Sequence, residues 1–186
     1  MNFVQEILSF PALLSQSAKE FKSTKAICGV AMLTALNVIA GTLLNIQVTP
    51  MLRIGFSSVF AAISAMLYGP LLSGSAGIIA DTLKFLIRPD GPYFPGFALN
   101  EFLTAFIYGA FFYKKKVSLP RAIVSRFLIT LVINLILTSL WLNILYNNPI
   151  FTSIRLFKNV IAFPFDCAIL YFALQAAQRV IKRIQH

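Results

Sequence analysis

Six stretches of this chain, at about 25–45, 52–68, 70–88, 97–113, 121–142 and 155–178, each run apolar for roughly the 17–25 residues a helix needs to cross a bilayer. Hydrocarbon offers no partner for backbone N–H and C=O groups, so such a chain can satisfy itself there only as helices or a closed barrel. Runs of this length point to helices. The expected fold is an all-α membrane protein, a bundle of six transmembrane helices. Composition agrees, because only 12% of the 186 residues are charged, against about a quarter in a soluble domain.

The Tyr68-Gly69-Pro70 sequence decides the count. A single helix over residues 52–88 is too long for one crossing, and Gly followed by Pro is a strong breaker. A turn there gives six spans with both termini on one side. That side holds Lys19, Lys22, Lys25, Lys114, Lys115, Lys116, Arg121, Arg126, Arg179, Lys182 and Arg183, 11 of the 16 basic residues, and is therefore expected to be cytoplasmic. Residues 2–23 mix apolar and charged positions and are broken by Pro11, so residues 1–24 are expected to form an interfacial amphipathic segment ahead of a membrane domain at 25–186. The net charge of +10 sits in short clusters between apolar runs, which suits anionic headgroups and not nucleic acid. Cys28 and Cys167 lie far apart in apolar segments and the single histidine is His186, so neither a disulfide nor a metal site is expected, and no cofactor.

Five basic residues fall at the opposite face: Arg53, Lys84, Arg88, Arg155 and Lys158. Each alone can extend its head to the interface; five together suggest a cationic pocket for an anion. Asp81, Lys84 and Arg88 share one helical face at i, i+3 and i+7. Asp81 lies about 10 Å inward of Arg88 at 1.5 Å per residue. A carboxylate at that depth either pairs with Lys84 or another helix, or accepts hydrogen bonds from a ligand. Asn100 and Glu101 open the fourth span, Asn159 follows Arg155 and Lys158 on the sixth, and Trp141 and Tyr146 flank the last outer loop.

Residues 88–97, Arg-Pro-Asp-Gly-Pro-Tyr-Phe-Pro-Gly-Phe, hold three prolines and two glycines, so tight turns are expected there. Tyr93, Phe94 and Phe97 make this loop either a lid over a polar cavity or a connector with interfacial aromatics. Gly69-Pro70 through Asp81, then GPYFPGF at 91–97, Asn100-Glu101 and Ile107-Tyr108-Gly109 closely resemble the folate-specific S components (FolT type) of energy-coupling factor (ECF) transporters. The resemblance covers about residues 25–180, its specific motif lying within 53–113. It implies a substrate-binding subunit of an ABC-type importer in a prokaryotic plasma membrane. Such a subunit captures folate at the outer face and works with a transmembrane coupling protein and two ATPase subunits.

The resemblance also implies that Ala31 and Ala35, an AxxxA pair, dock the coupling protein. Two small residues four apart leave a groove for another helix, although Ala61 and Ala65 share that spacing. Under this reading Arg53, Asp81, Lys84, Arg88, Tyr93, Phe94, Asn100, Trp141, Arg155 and Lys158 bind substrate. Asp81 and Asn100 face the ring edge, Tyr93, Phe94 and Trp141 stack, and the basic residues meet carboxylates. The first loop, with Asn45, Gln47 and Thr49-Pro50 before Arg53, is a second candidate gate. The alternatives are an S component for another vitamin or pterin, and a membrane assembly protein without a ligand. An intramembrane enzyme lacks a nucleophile–base or metal constellation, and no Gly-x-x-x-x-Gly-Lys-Ser/Thr nucleotide loop occurs.

Overall fold

The structure, a computed structural model, describes residues 10–43, 46–49, 52–54, 57–89, 91–146 and 153–184. Helix α1 spans Phe10–Glu20 and α2 Thr24–Leu43. Strands β1 (Ile46–Thr49) and β2 (Leu52–Ile54) form an antiparallel hairpin. Four further helices follow: α3 (Ser57–Tyr68), α4 (Pro70–Ile87), α5 (Pro95–Phe112) and α6 (Leu119–Tyr146). The last is α7 (Ser153–Ile184). Six helices, α2–α7, thus occupy the six expected apolar runs.

The break at Gly69 is as expected. Pro70 takes the first position of α4, where its missing N–H is no loss. Gly69 adopts φ 86°, a conformation open to glycine, and a side chain there would strike Ser17 and Tyr113. The run expected to begin the second span at 52 does differ. Helix α3 starts only at Ser57, and residues 52–54 pair with β1, Gln47 opposite Arg53. Pro50 and Gly55 bracket this short run, so a strand fits where a helix has no room to start.

The interior and surface are inverted relative to a water-soluble protein. Small residues fill the inside, with Ala40, Ala62, Ala65 and Ala122 fully buried, while Met32 is 71% exposed, Leu43 75%, Leu86 70% and Phe172 68%. Large exposed apolar side chains need lipid around them, and small buried ones let helix backbones approach. The α4–α5 contact is the clearest case. A Cβ on Gly77 would sit 2.9 Å from the Glu101 carbonyl oxygen, and one on Gly109 2.5 Å from Pro70 Cα. One core cluster joins α3, α5, α6 and α7 through Met66, Tyr108, Phe112, Ile129 and Leu174. A second joins α2 to α4 through Ala26, Val30, Leu72 and Ala76.

Four of the described helices are long and apolar enough to cross a membrane: α2, α4, α6 and Asn159–Arg183 within α7. Helix α3 is apolar but 12 residues long. Helix α1 is anchored to the bundle by Ser17, buried, whose hydroxyl accepts the Leu71 N–H at 3.0 Å. Tyr113 also donates to Glu20 at 3.0 Å. Inside α6, residues Ile129–Leu137 are wound as a π-helix, a wider turn that is frequent at functional sites.

Candidate functional site

At the end of the bundle where α4 stops and α5 begins, polar side chains from four elements form one chain of hydrogen bonds. Lys84 of α4 donates to Glu101 Oε1 of α5 at 3.1 Å and to Ser57 Oγ of α3 at 2.8 Å. Ser57 in turn donates to Asn37 Oδ1 of α2, and Asn37 is buried. The Lys84–Glu101 ion pair is only partly shielded, at 18% and 29% side-chain exposure. Helix α2 permits this approach because Gly41 faces the Lys84 stem; a Cβ there would lie 2.8 Å from Lys84 Cε.

Lys84 is thus held by Glu101 of the neighbouring helix and not by Asp81. Asp81, one turn inward, is half-buried and lies within the field of both Lys84 and Glu101. It forms no hydrogen bond or ion pair with any other described residue. A half-buried carboxylate in that condition has its acceptor capacity available to something else.

Beside this network stands an aromatic wall. Trp141 of α6 donates its indole N–H to Asn100 Oδ1 at 3.1 Å, and the Asn100 amide donates to Thr138 Oγ1 at 3.1 Å. Asn100 is buried and both ends of its amide are engaged, so it orients Trp141 as well as offering its remaining capacity. Thr138 also donates to the Ile133 carbonyl at 2.8 Å. The Thr138 backbone N–H reaches the same carbonyl and ends the π-wound stretch. Phe94 packs on Trp141 with ring centroids 5.4 Å apart. Tyr93 packs on Phe85 at 5.2 Å and meets the Thr82 hydroxyl at 3.4 Å.

The loop after α4 therefore folds back across the tops of α4 and α6. Gly91, at φ 105°, rests against the Tyr146 hydroxyl, which draws Tyr146 in toward this loop as well as the interface. Arg88 caps α4, its backbone N–H bonded to the Lys84 carbonyl at 2.9 Å, with its side chain exposed.

The structure thus brings Asp81, Lys84, Asn100, Trp141, Phe94 and Tyr93 to one end. Arg53 is placed on β2 and Arg155 and Lys158 on α7 by backbone alone; their side chains lie outside the described residues, as do Asn45 and Pro50. Of the two AxxxA pairs, Ala31 and Ala35 are exposed on α2, whereas Ala61 and Ala65 are buried within the bundle.

A second polar centre was not foreseen. Arg126, grouped by sequence with the basic end, lies seven residues into α6, about 10 Å at 1.5 Å per residue. It points into the bundle instead, forming an ion pair with Asp166 of α7 and donating to Tyr108 Oη of α5 at 3.2 Å. A carboxylate inside a span and an arginine inside its neighbour were the available signal.

The comparisons with known proteins agree. Residues 21–168 match the family model described as the S component of the ECF-type riboflavin transporter. A protein of Clostridium novyi (strain NT) named folate transporter FolT is 39% identical over 162 residues, covering 86% of this chain and 93% of that protein. One of the same name from Leuconostoc mesenteroides subsp. mesenteroides is 33% identical over 165 residues, covering 83% and 88%. A solved structure described as FolT bound with folic acid superposes with a TM-score of 0.75 at 35% identity, covering 82% of this chain and 94% of the other.

Proposed function

The chain belongs to the S-component family of ECF-type transporters, and from that premise we propose that it captures folate at one end of its bundle and delivers it across the membrane. It is a multi-pass transporter subunit, not an enzyme. The observation that carries the substrate is its 39% identity to a protein named for folate transport, across 93% of that protein's length. The family description names riboflavin, which makes riboflavin the second reading.

The chemistry of the site favours folate. Folate joins a flat hydrogen-bonding ring to a tail with two carboxylates, whereas riboflavin has a flat ring and no carboxylate. Asp81, without a described partner, suits the amino and imino edge of a pterin. Tyr93, Phe94 and Trp141 supply faces for flat rings. Arg53, Arg88, Arg155 and Lys158 are suited by charge to the tail, an arginine being able to grip a carboxylate at two points. Lys84 steadies Asp81's surroundings through Glu101, and the loop at 88–97 serves as the lid with the β1–β2 hairpin as its companion.

In this reading α2–α7 all cross a prokaryotic plasma membrane, with both termini cytoplasmic and residues 1–24 lying at the inner interface. The lysines at 114–116 and the basic end of α7 support that orientation. The energising module is a transmembrane coupling protein with two ATPase subunits. Ala31 and Ala35, exposed where Ala61 and Ala65 are not, present the groove for the coupling protein.

Trp141 is the chain's single tryptophan, so its fluorescence reports on the site. Titrating the purified subunit with folate and with riboflavin is expected to give saturable quenching by folate, and Asp81→Asn is expected to weaken it at least tenfold. Saturation by riboflavin in place of folate, or unaltered affinity in Asp81→Asn, would overturn this reading.

A further inference from the structure

The opposite end of the bundle carries a cleft that substrate capture does not use. It measures about 400 Å³ and is rimmed by Lys114, Lys115, Lys116 and Lys182. Its floor is apolar, formed by Met66, Leu67 and Ile181. Basic residues that serve only to orient a membrane chain need no cavity beneath them. Here the turn after α5 is built. Lys114 is the one described non-glycine residue at positive φ, 54°, an uncommon conformation for lysine. Gln178 of α7 ties the turn down, accepting the Val117 N–H and donating to the Lys115 carbonyl, both at 3.4 Å.

Among the described residues, Lys114, Lys115, Lys116 and Lys182 form no ion pair. Glu20, a described acidic residue near this end, takes the Tyr113 hydroxyl instead. Lys114 reaches Gln16 Oε1 at 3.1 Å and lies 5.2 Å over the Tyr113 ring, both neutral partners. Lys115 donates to the Ala110 carbonyl at 3.0 Å, at the negative end of α5. Lys116 and Lys182 are exposed.

We infer that this cleft binds the headgroup of an anionic phospholipid, with the phosphodiester among the lysines and an acyl chain laid against Leu67 and Ile181. The cleft opens where α3, α5 and α7 end, so lipid is its standing neighbour at high local concentration. A basic pocket between helix ends with an apolar floor matches both halves of such a molecule. An acidic segment of a protein partner would meet the charge but has no counterpart for the acyl-sized floor.

Native mass spectrometry of the purified full chain tests this, using phosphatidylglycerol against phosphatidylcholine of equal chain length. One phosphatidylglycerol per subunit is expected to be retained at least fivefold over phosphatidylcholine. The variant Lys114→Asn/Lys115→Gln/Lys116→Gln/Lys182→Gln should reduce that preference to parity while folate binding is unchanged. Lys116→Gln/Lys182→Gln, confined to exposed positions, should halve it or better if the fourfold variant does not fold. Equal retention of the two lipids, or a preference surviving both variants, overturns the inference. So does displacement of the lipid by millimolar glycerophosphate, which marks a free-phosphate site. Loss of co-purifying ATPase subunits with lipid retention intact also overturns it and assigns the cleft to a protein partner.

Discussion

Lys84 gives its ammonium to Glu101 on the neighbouring helix, 3.1 Å away, and not to Asp81 one turn below it on its own helix. The choice joins α4 to α5 at the level of the site and leaves Asp81 unclaimed by any described side chain.

Removing one member of that pair strands the other. Lys84→Met and Glu101→Leu are each expected to lower stability by about 1–2 kcal/mol, below the 3–5 typical of fully buried pairs because both groups keep some solvent. The double variant should recover part of the loss. Thermal unfolding of the four proteins in detergent measures the coupling, and strict additivity would mean that the pair contributes nothing.

Trp141→Phe keeps a ring against Phe94 but deletes the N–H held by Asn100. A lost hydrogen bond of this kind costs about 1 kcal/mol, or roughly fivefold in affinity if the indole's orientation matters to the ligand. Asn100→Ala should weaken folate binding to a similar extent, and the two together by little more than either, as residues acting through one contact do. Isothermal titration reads this without relying on tryptophan emission.

The two small-residue pairs should separate cleanly. Ala65→Leu inserts volume into a fully buried position and is expected to destabilise the isolated subunit by about 1–3 kcal/mol. Ala35→Leu, on an exposed face, should leave folding and folate affinity unchanged while abolishing co-purification with the coupling protein. A stable complex carrying Ala35→Leu would remove α2 from the docking surface.

Arg126→Leu leaves Asp166 without its guanidinium, and Asp166→Asn leaves Arg126 without its carboxylate. Each is expected to cost about 1–3 kcal/mol, since this pair too keeps partial exposure, 13% and 23% of its side chains. Arg126→Lys should rescue only in part, because Arg126 reaches Tyr108 and Asp166 through two separate nitrogens of a planar fork, a geometry that an ammonium does not reproduce. Unfolding midpoints of the three variants decide the point.

What sequence could convey here was largely one-dimensional. Apolar runs and Gly69-Pro70 place the helices, because length and a backbone breaker are local properties. Lys84 and Arg126 were beyond that reach. Spacing along a helix favours the i, i+3 partner, yet the packing of Gly77 against α5 brings Glu101 closer in practice. Arg126 sits near enough to the end of its run to be read as interfacial, and only the approach of α7 shows that it turns inward. Of the hairpin at 46–54, the sequence reads 46–49 as loop and 52–54 as the start of a span, because Leu52 and Ile54 are apolar enough for either. The π-wound stretch at Ile129–Leu137 has no sequence signature.

Glycine at positions 77 and 109 sets the backbone of α4 against that of α5 with no side chain between them. Two rods in such contact cannot slide or splay without opening a void that nothing nearby can fill. The α4–α5 pair is therefore a fixed plate, and under the proposed function any movement that admits cargo falls to the turn-rich strap bearing Tyr93 and Phe94 and to the small hairpin.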